Sequence, residues 1–80
     1  MSGDLPEADV TVDARGRRCP LPVIDLAKAV DSAPAGAVVA VLSDDPAAAT
    51  DVPAWCRMRD VDYLGERPDG DATAYLVRRP

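Results

Sequence analysis

The sequence predicts an α+β domain, a two-layer α/β sandwich with elements in the order β-α-β-α-β-β. Three patterns support this: an apolar alternation of period two, a following apolar stripe of period 3.6, and a turn signal near the C-terminus. The simplest packing places both helices on one face of a mixed four-stranded sheet. The first β-α-β unit makes its strands parallel with a right-handed crossover, and the closing hairpin adds an antiparallel pair.

The spacing of the apolar residues changes between the first strand and the first helix. In segment 10–14, apolar residues alternate with Thr11 and Asp13, which is typical of a half-buried strand. A short loop at residues 15–18 follows. One face of an amphipathic helix is then marked at spacings i, i+3, i+4 and i+7 by Val23, Leu26, Ala27 and Val30. This helix is expected to end before Pro34.

A second strand and a second helix follow. The apolar run at residues 37–42 predicts a central strand. Asp45 is the expected N-cap of the next helix, with Pro46 at its first position, and this helix should run to about Arg59. A proline at position 53 predicts either a kink or a later start, capped by Thr50 or Asp51.

The C-terminal segment predicts a hairpin. The third strand begins with Val61 and Tyr63, the sequence PDGD at residues 68–71 is a turn signal, and the last strand covers residues 73–78. Eighty residues form one domain, predicted at residues 9–80 after a flexible tail at residues 1–8.

Composition excludes several classes of chemistry. The net charge of -5 argues against a nucleic-acid binder. Histidine is absent, which excludes a Ser-His or Cys-His dyad and a histidine metal site. The two cysteines, Cys19 and Cys56, have neither zinc-site nor CxxC spacing, so we expect no metal and no cofactor. No segment resembles a signal peptide or a membrane span, so the chain is expected to be cytoplasmic, where a free thiol stays reduced.

Cys19 is the candidate nucleophile because it lies where the first loop meets the first helix. Pro20 suits the first helical position, which makes Cys19 the expected N-cap. The positive end of the helix dipole would then point towards the thiol. Because Pro20 and Pro22 have no N–H group, the N–H groups of Leu21 and Val23 would remain free to face a sulfur anion. The two prolines also stiffen this turn.

The residues before Cys19 form a basic loop. Arg15, Arg17 and Arg18 raise the local positive potential, and cations or helix N-termini lower cysteine pKa values into a range of about 3.5 to 7.5. A thiolate formed in this way needs no general base, which agrees with the absence of histidine. Gly16 is expected to permit a backbone conformation that other residues resist. Asp13 either pairs with Arg15 to fix the loop, contacts a partner, or is simply solvated.

Three segments cover nearly the whole chain from Val10 onward: VDARGRRCPLPVIDLAKAV, SDDPAAATDVPAWCR and AYLVRRP. In these segments the chain resembles the TusA/SirA-like sulfur-carrier family. The family's Cys-Pro-x-Pro element stands here at residues 19–22, behind a D-x-R-G element formed by Asp13, Arg15 and Gly16. The resemblance implies the same sandwich fold and a persulfide on Cys19.

The resemblance also implies partner proteins. The sulfur donor would be a pyridoxal-phosphate cysteine desulfurase or a rhodanese. The acceptor protein would belong to tRNA thiolation, to the molybdenum cofactor pathway or to sulfur oxidation, and a membrane sulfur transporter is a further candidate partner. We therefore expect a monomeric sulfur carrier or sulfurtransferase that acts with other proteins rather than as a stand-alone enzyme, without direct contact to nucleic acid.

Two other functions stay open at this stage. A thiol-based redox or regulatory interaction module would use oxidation of Cys19. An RNA-binding module could have the same topology, but the negative charge and the few aromatic residues disfavour it.

Several further residues are candidates for contact with a partner: Leu21, Ile24, Asp44 and Asp45. For Ile24 core packing is the expected role, and a helix cap accounts for at least one of the two aspartates. Cys56 lies on the apolar face of the second helix and is predicted to be a buried structural thiol. Trp55 and Met58 belong either to the core or to a partner-facing patch.

Overall fold

The computed structural model describes residues 5–80 and contains the six predicted elements. They are β1 (Val10–Asp13), α1 (Leu21–Ser32), β2 (Val38–Ser43), α2 (Ala48–Arg59), β3 (Asp62–Asp69) and β4 (Ala72–Arg78). The predicted α+β class, with a mixed four-stranded sheet and two helices, is confirmed. Residues 1–4 of the predicted flexible tail lie outside the described residues.

The sheet has the strand order β1-β2-β4-β3. β1 and β2 are parallel, as predicted, and β4 pairs antiparallel with both β2 and β3. The last residue of β1, Asp13, is level with Leu42 near the end of β2. Because both strands end at the same edge of the sheet, the loops that follow them meet there. The candidate site lies at this edge.

Both helices pack against one face of the sheet and enclose the main core. α1 contributes Leu26 and Val30, with Val23 and Ala27 partly buried beside them, so the predicted apolar stripe is in place. The other members of this core include Val39, Val41, Val52, Trp55, Cys56, Tyr75 and Val77. Full burial of a side chain such as Leu26 contributes about 1.5–3 kcal/mol to folding. This packing holds the N-terminus of α1 beside α2.

The opposite face of the sheet carries a smaller apolar cluster. Its buried members are Val38, Ala40, Ala74 and Leu76, and the partly buried residues packed on it are Leu5, Ala8, Leu42 and Leu64. Leu5 lies over Gly65, where a side chain would bring its Cβ to 3.1 Å from the Leu5 Cδ2 atom. Two residues of the segment predicted as a tail thus contact the sheet.

The start of α2 differs from both sequence-based alternatives. The helix begins at Ala48, two residues after the predicted first position and before either later cap, and Pro53 lies inside it. The Asp45 carboxylate accepts the N–H of Ala47 at 3.0 Å, while the Asp45 carbonyl accepts that of Ala48 at 3.0 Å. A tight turn therefore precedes the regular helix. Neither helix of the described chain is long and apolar enough to cross a membrane.

Candidate functional site around Cys19

Cys19 precedes α1 by one residue more than the sequence predicts. The helix starts at Leu21 with Pro20 at the N-cap position, and the Cys19–Pro20 peptide bond is cis. The Leu21 N–H is not free, because it donates to the Arg18 carbonyl at 2.8 Å and closes a turn. The prediction that the Leu21 N–H is free to face the sulfur is therefore wrong. Among the described residues, the Val23 N–H has no backbone acceptor outside the helix.

Two aspartates from the loop after β2 hold the Cys19 loop in place. The Asp44 carboxylate accepts the Gly16 N–H at 3.1 and 3.2 Å, and Asp45 Oδ2 accepts the Cys19 N–H at 2.7 Å. Gly16 has a φ of 80°, the left-handed conformation for which a glycine was expected. The N–H donors of Ala47 and Cys19 lower the pKa of Asp45. Sequence reasoning missed this support, because it requires the two loops to be adjacent.

Acidic neighbours offset the positive charges of Arg15 and Arg17 in the loop. Arg15 makes a two-pronged contact with Asp13, from Nε at 2.8 Å and from a terminal nitrogen at 2.7 Å. Its guanidinium lowers the pKa of Asp13 to about 2. Arg17 Nε lies 2.7 Å from an Asp25 carboxylate oxygen on α1. The structure thus contains the Asp13–Arg15 ion pair that was one of the alternatives predicted from the sequence.

The pKa of the Cys19 thiol is raised, opposite to the direction predicted from the sequence. Hydrogen bonding to the Asp51 carboxylate is the largest cause, followed by desolvation and by the negative charges of Asp51 and Asp45. The prediction failed because it counted the basic residues near Cys19 in sequence. It did not count the acidic residues that α2 and its preceding loop bring near in space.

An open cleft of about 270 Å³ borders the thiol. One side consists of Cys19, Pro20 and Val23 at the start of α1. The other side is a single face of α2, at spacings i, i+3, i+4 and i+7, formed by Asp51, Ala54, Trp55 and Met58. This spacing was visible in the sequence and could have placed Asp51 beside Trp55 and Met58.

Exposed apolar side chains lie on the helices that form this cleft. Leu21 is 39% exposed, Ile24 is 42% exposed and Met58 is 79% exposed. The expectation that Ile24 packs in the core is wrong, because residue 24 is turned about 100° around the helix from Val23. Trp55 is buried in the main core and also lines the cleft. Met58 therefore belongs to the surface, and Trp55 joins the surface to the core.

Cys56 is separated from this site by burial. Its side chain is 1% exposed, and desolvation raises the pKa of its thiol to about 11. The structure thus agrees with the prediction of a buried thiol. Both cysteines are free, and only Cys19 is exposed. Within residues 5–80 no group of three or more Cys, Asp or Glu side chains is arranged to hold a metal ion.

Comparison with known proteins identifies the family. The family model of the sulfurtransferase TusA matches residues 10–79. The chain belongs to this family. A solved structure of a SirA-like protein from Desulfitobacterium hafniense is similar, with a TM-score of 0.71 and 26% sequence identity. The match covers 86% of this chain and 93% of that chain. TusA-family membership and the SirA-like fold together support a role as a sulfur carrier.

Proposed function

We propose that the chain accepts sulfane sulfur as a persulfide on Cys19 and passes it to an acceptor protein. The observation that carries this proposal is the contrast between the two cysteines. Cys19 is exposed beside an open cleft, whereas Cys56 is buried in the core. In a member of a sulfurtransferase family, the accessible thiol is the one that a partner's sulfur atom can reach.

The transfer is an attack by one sulfur on another. The Cys19 thiolate attacks the outer sulfur of a donor persulfide, the donor's sulfur–sulfur bond breaks, and the donor leaves as a thiolate. Cys19 then carries an –S–SH group. In the second half of the cycle an acceptor thiolate attacks the outer sulfur of this group, and Cys19 leaves as a thiolate. Sulfur moves without net oxidation or reduction of the carrier over one cycle.

The supporting residues hold the thiol rather than react with it. Asp45 and Asp44 fix the backbone of the loop, and the Asp13–Arg15 pair fixes its start. Pro20 and Pro22 stiffen the turn that presents the sulfur atom. Donor and acceptor proteins would meet this turn together with the exposed side chains of Leu21 and Ile24. A cysteine desulfurase or a rhodanese is the proposed donor, and a thiolation, molybdenum cofactor or sulfur-oxidation protein is the proposed acceptor.

Persulfide formation can be tested by intact mass. The protein is incubated with a cysteine desulfurase, cysteine and pyridoxal phosphate, and its mass is then measured without reductant. A gain of one sulfur atom is expected in the wild type and in Cys56→Ala, and no gain is expected in Cys19→Ser. Sulfur found on Cys56 alone, or no gain in the wild type while the desulfurase itself carries a persulfide, would contradict the proposal.

The same masses distinguish a redox or regulatory module. Such a module would show oxygen adducts on Cys19 after peroxide treatment and no sulfur adduct with the desulfurase. Redox-sensing cysteines are accessible and have low pKa values. The exposure of Cys19 suits either function, whereas the match to the TusA family favours sulfur transfer. The sulfur-carrier function is therefore the one we propose.

A further inference from the structure

Negative charge predominates around the Cys19 thiol. Arg15 pairs with Asp13, and Arg17 on the same loop pairs with Asp25 of α1. Arg18 lies close enough to Asp45 to lower the pKa of that carboxyl. Asp51, which lines the cleft from α2, has no cation among the described residues within 4.0 Å. Asp45, whose carboxylate accepts the Cys19 N–H at 2.7 Å, adds a second negative charge near the thiol.

Asp51 is placed to act on the thiol and on whatever enters the cleft. It lies in the first turn of α2, and its side chain lines the cleft together with Cys19. The remaining residues on the α2 side of the cleft are apolar: Ala54, Trp55 and Met58. The cleft lining therefore offers a single carboxylate next to the reactive atom, beside apolar side chains. Arg59 lies over the Trp55 ring at 5.5 Å from its centroid and is paired with Asp31 at 3.8 Å.

We infer that Asp51, which lines the cleft together with Cys19, is a positioning residue that pairs with a lysine or arginine of a docking partner, and that this pairing activates the Cys19 thiol. This inference rests on the proposed function for its biological setting, since it assumes that Cys19 must ionise to take up sulfur. It adds Asp51 to the functional site and predicts the charge of the surface by which a partner docks. The docked surface should carry a cation, flanked by apolar side chains that contact Trp55 and Met58.

The activation step is a proton release. In the free protein the negative charge of Asp51, across the cleft from Cys19, favours the protonated thiol. When a cationic side chain pairs with Asp51, the carboxylate no longer favours the protonated thiol, the proton passes to water, and the thiolate becomes available to attack. Sulfur transfer then proceeds as described above. The carrier would in this way react with docked donors faster than with free oxidants or electrophiles.

Charged thiol reagents test the inference without any sulfur donor. Cys19 is labelled with two methanethiosulfonates of similar size, one carrying a trimethylammonium group and the other a sulfonate. In the wild type we expect the cationic reagent to react faster than the anionic one. In Asp51→Asn this ratio should fall by about threefold or more, because one negative charge beside the sulfur is lost. Reaction of a neutral iodoacetamide should shift to lower pH in the same variant.

Two further variants separate the electrostatic role from a structural one. Asp51→Glu keeps the charge and should restore the wild-type reagent ratio. Asp62→Asn removes an equal charge at the opposite end of the sheet and should leave the ratio and the pH profile unchanged. An unchanged ratio in a folded Asp51→Asn, or an equal change in Asp62→Asn, would overturn the inference. Because these readouts need only the thiol, their failure would leave the desulfurase test of the proposed function intact.

Discussion

At the scale of single residues, the site depends on the different surroundings of two identical side chains. Cys19 and Cys56 are both free thiols with raised pKa values, but for different reasons. Acidic neighbours raise the pKa at the exposed Cys19, whereas burial raises the pKa of Cys56 to about 11. A carboxylate can be neutralised by a docking partner, while burial is lost only when the core opens. Cys19 can therefore be switched on by contact, and Cys56 cannot.

Cys56 should remain unlabelled in the folded protein. With a pKa of about 11, only about 0.1% of this thiol is ionised at pH 8, and the core blocks the reagent. Iodoacetamide at pH 8 should add one group to the native wild type and two groups in denaturing urea. Intact mass, followed by peptide mapping, gives the positions. A native adduct on Cys56 comparable to that on Cys19 would mean that this core opens readily.

Acid should loosen the Cys19 loop through Asp13. Arg15 lowers the pKa of Asp13 from 3.8 to about 2, so the folded state favours the charged carboxylate. The stabilising contribution is present above about pH 4 and is lost as the pH falls towards 2. Because the pair is exposed, the effect should be small and should weaken with salt. Urea unfolding followed by Trp55 fluorescence should show a smaller loss of stability between pH 4 and 2 in Asp13→Asn than in the wild type. An unchanged pH dependence in this variant would contradict the assignment.

At the scale of elements, sequence patterns predicted the interiors of helices and strands better than their ends. The stripe on α1 and the apolar run of β2 were correct because burial on one face imposes a period. The start of α1 was wrong because a turn from Arg18 to Leu21 takes up the N–H that a longer helix would leave free. The acidic surroundings of Cys19 could not be read from the sequence, because Asp51 is distant along the chain. Helix ends and site electrostatics both depend on which loops meet.

Met58 on α2 should affect sulfur uptake without affecting stability. Its side chain is 79% exposed at the cleft, so Met58→Ala should leave the thermal midpoint unchanged. If a donor contacts this patch, truncation should slow sulfur transfer from the desulfurase by about fivefold, the effect expected for an apolar contact worth about 1 kcal/mol. Arg57→Ala, an exposed position on the same helix outside the cleft lining, is the matched control. Equal rates in both variants would place the donor elsewhere.

At the scale of the whole molecule, the sheet order brings the site together. The order β1-β2-β4-β3 places the parallel strands β1 and β2 side by side, so that the Cys19 loop and the loop bearing Asp44 and Asp45 leave the same edge. The element order predicted the parallel pair and the hairpin, but it did not predict that β4 would lie between β2 and β3. The two strands differ in burial: β4 is buried along most of its length, as a central strand is, whereas β3 contains Pro68 and has no fully buried residue, as an edge strand does.

The N-terminal segment should contribute to the stability of the whole fold. Leu5 is partly buried on the face of the sheet opposite the helices, over Gly65, although residues 1–8 read as a flexible tail in the sequence. Leu5→Ser should lower the free energy of unfolding by about 0.5–1.5 kcal/mol, roughly half the value of a fully buried leucine. The neighbouring Glu7→Ser, at an exposed position, should have little effect. Urea unfolding of both variants measures the difference. Equal stabilities would show that the segment behaves as the sequence predicts, as a tail, and that the cluster of Val38, Ala40, Ala74 and Leu76 is stable without it.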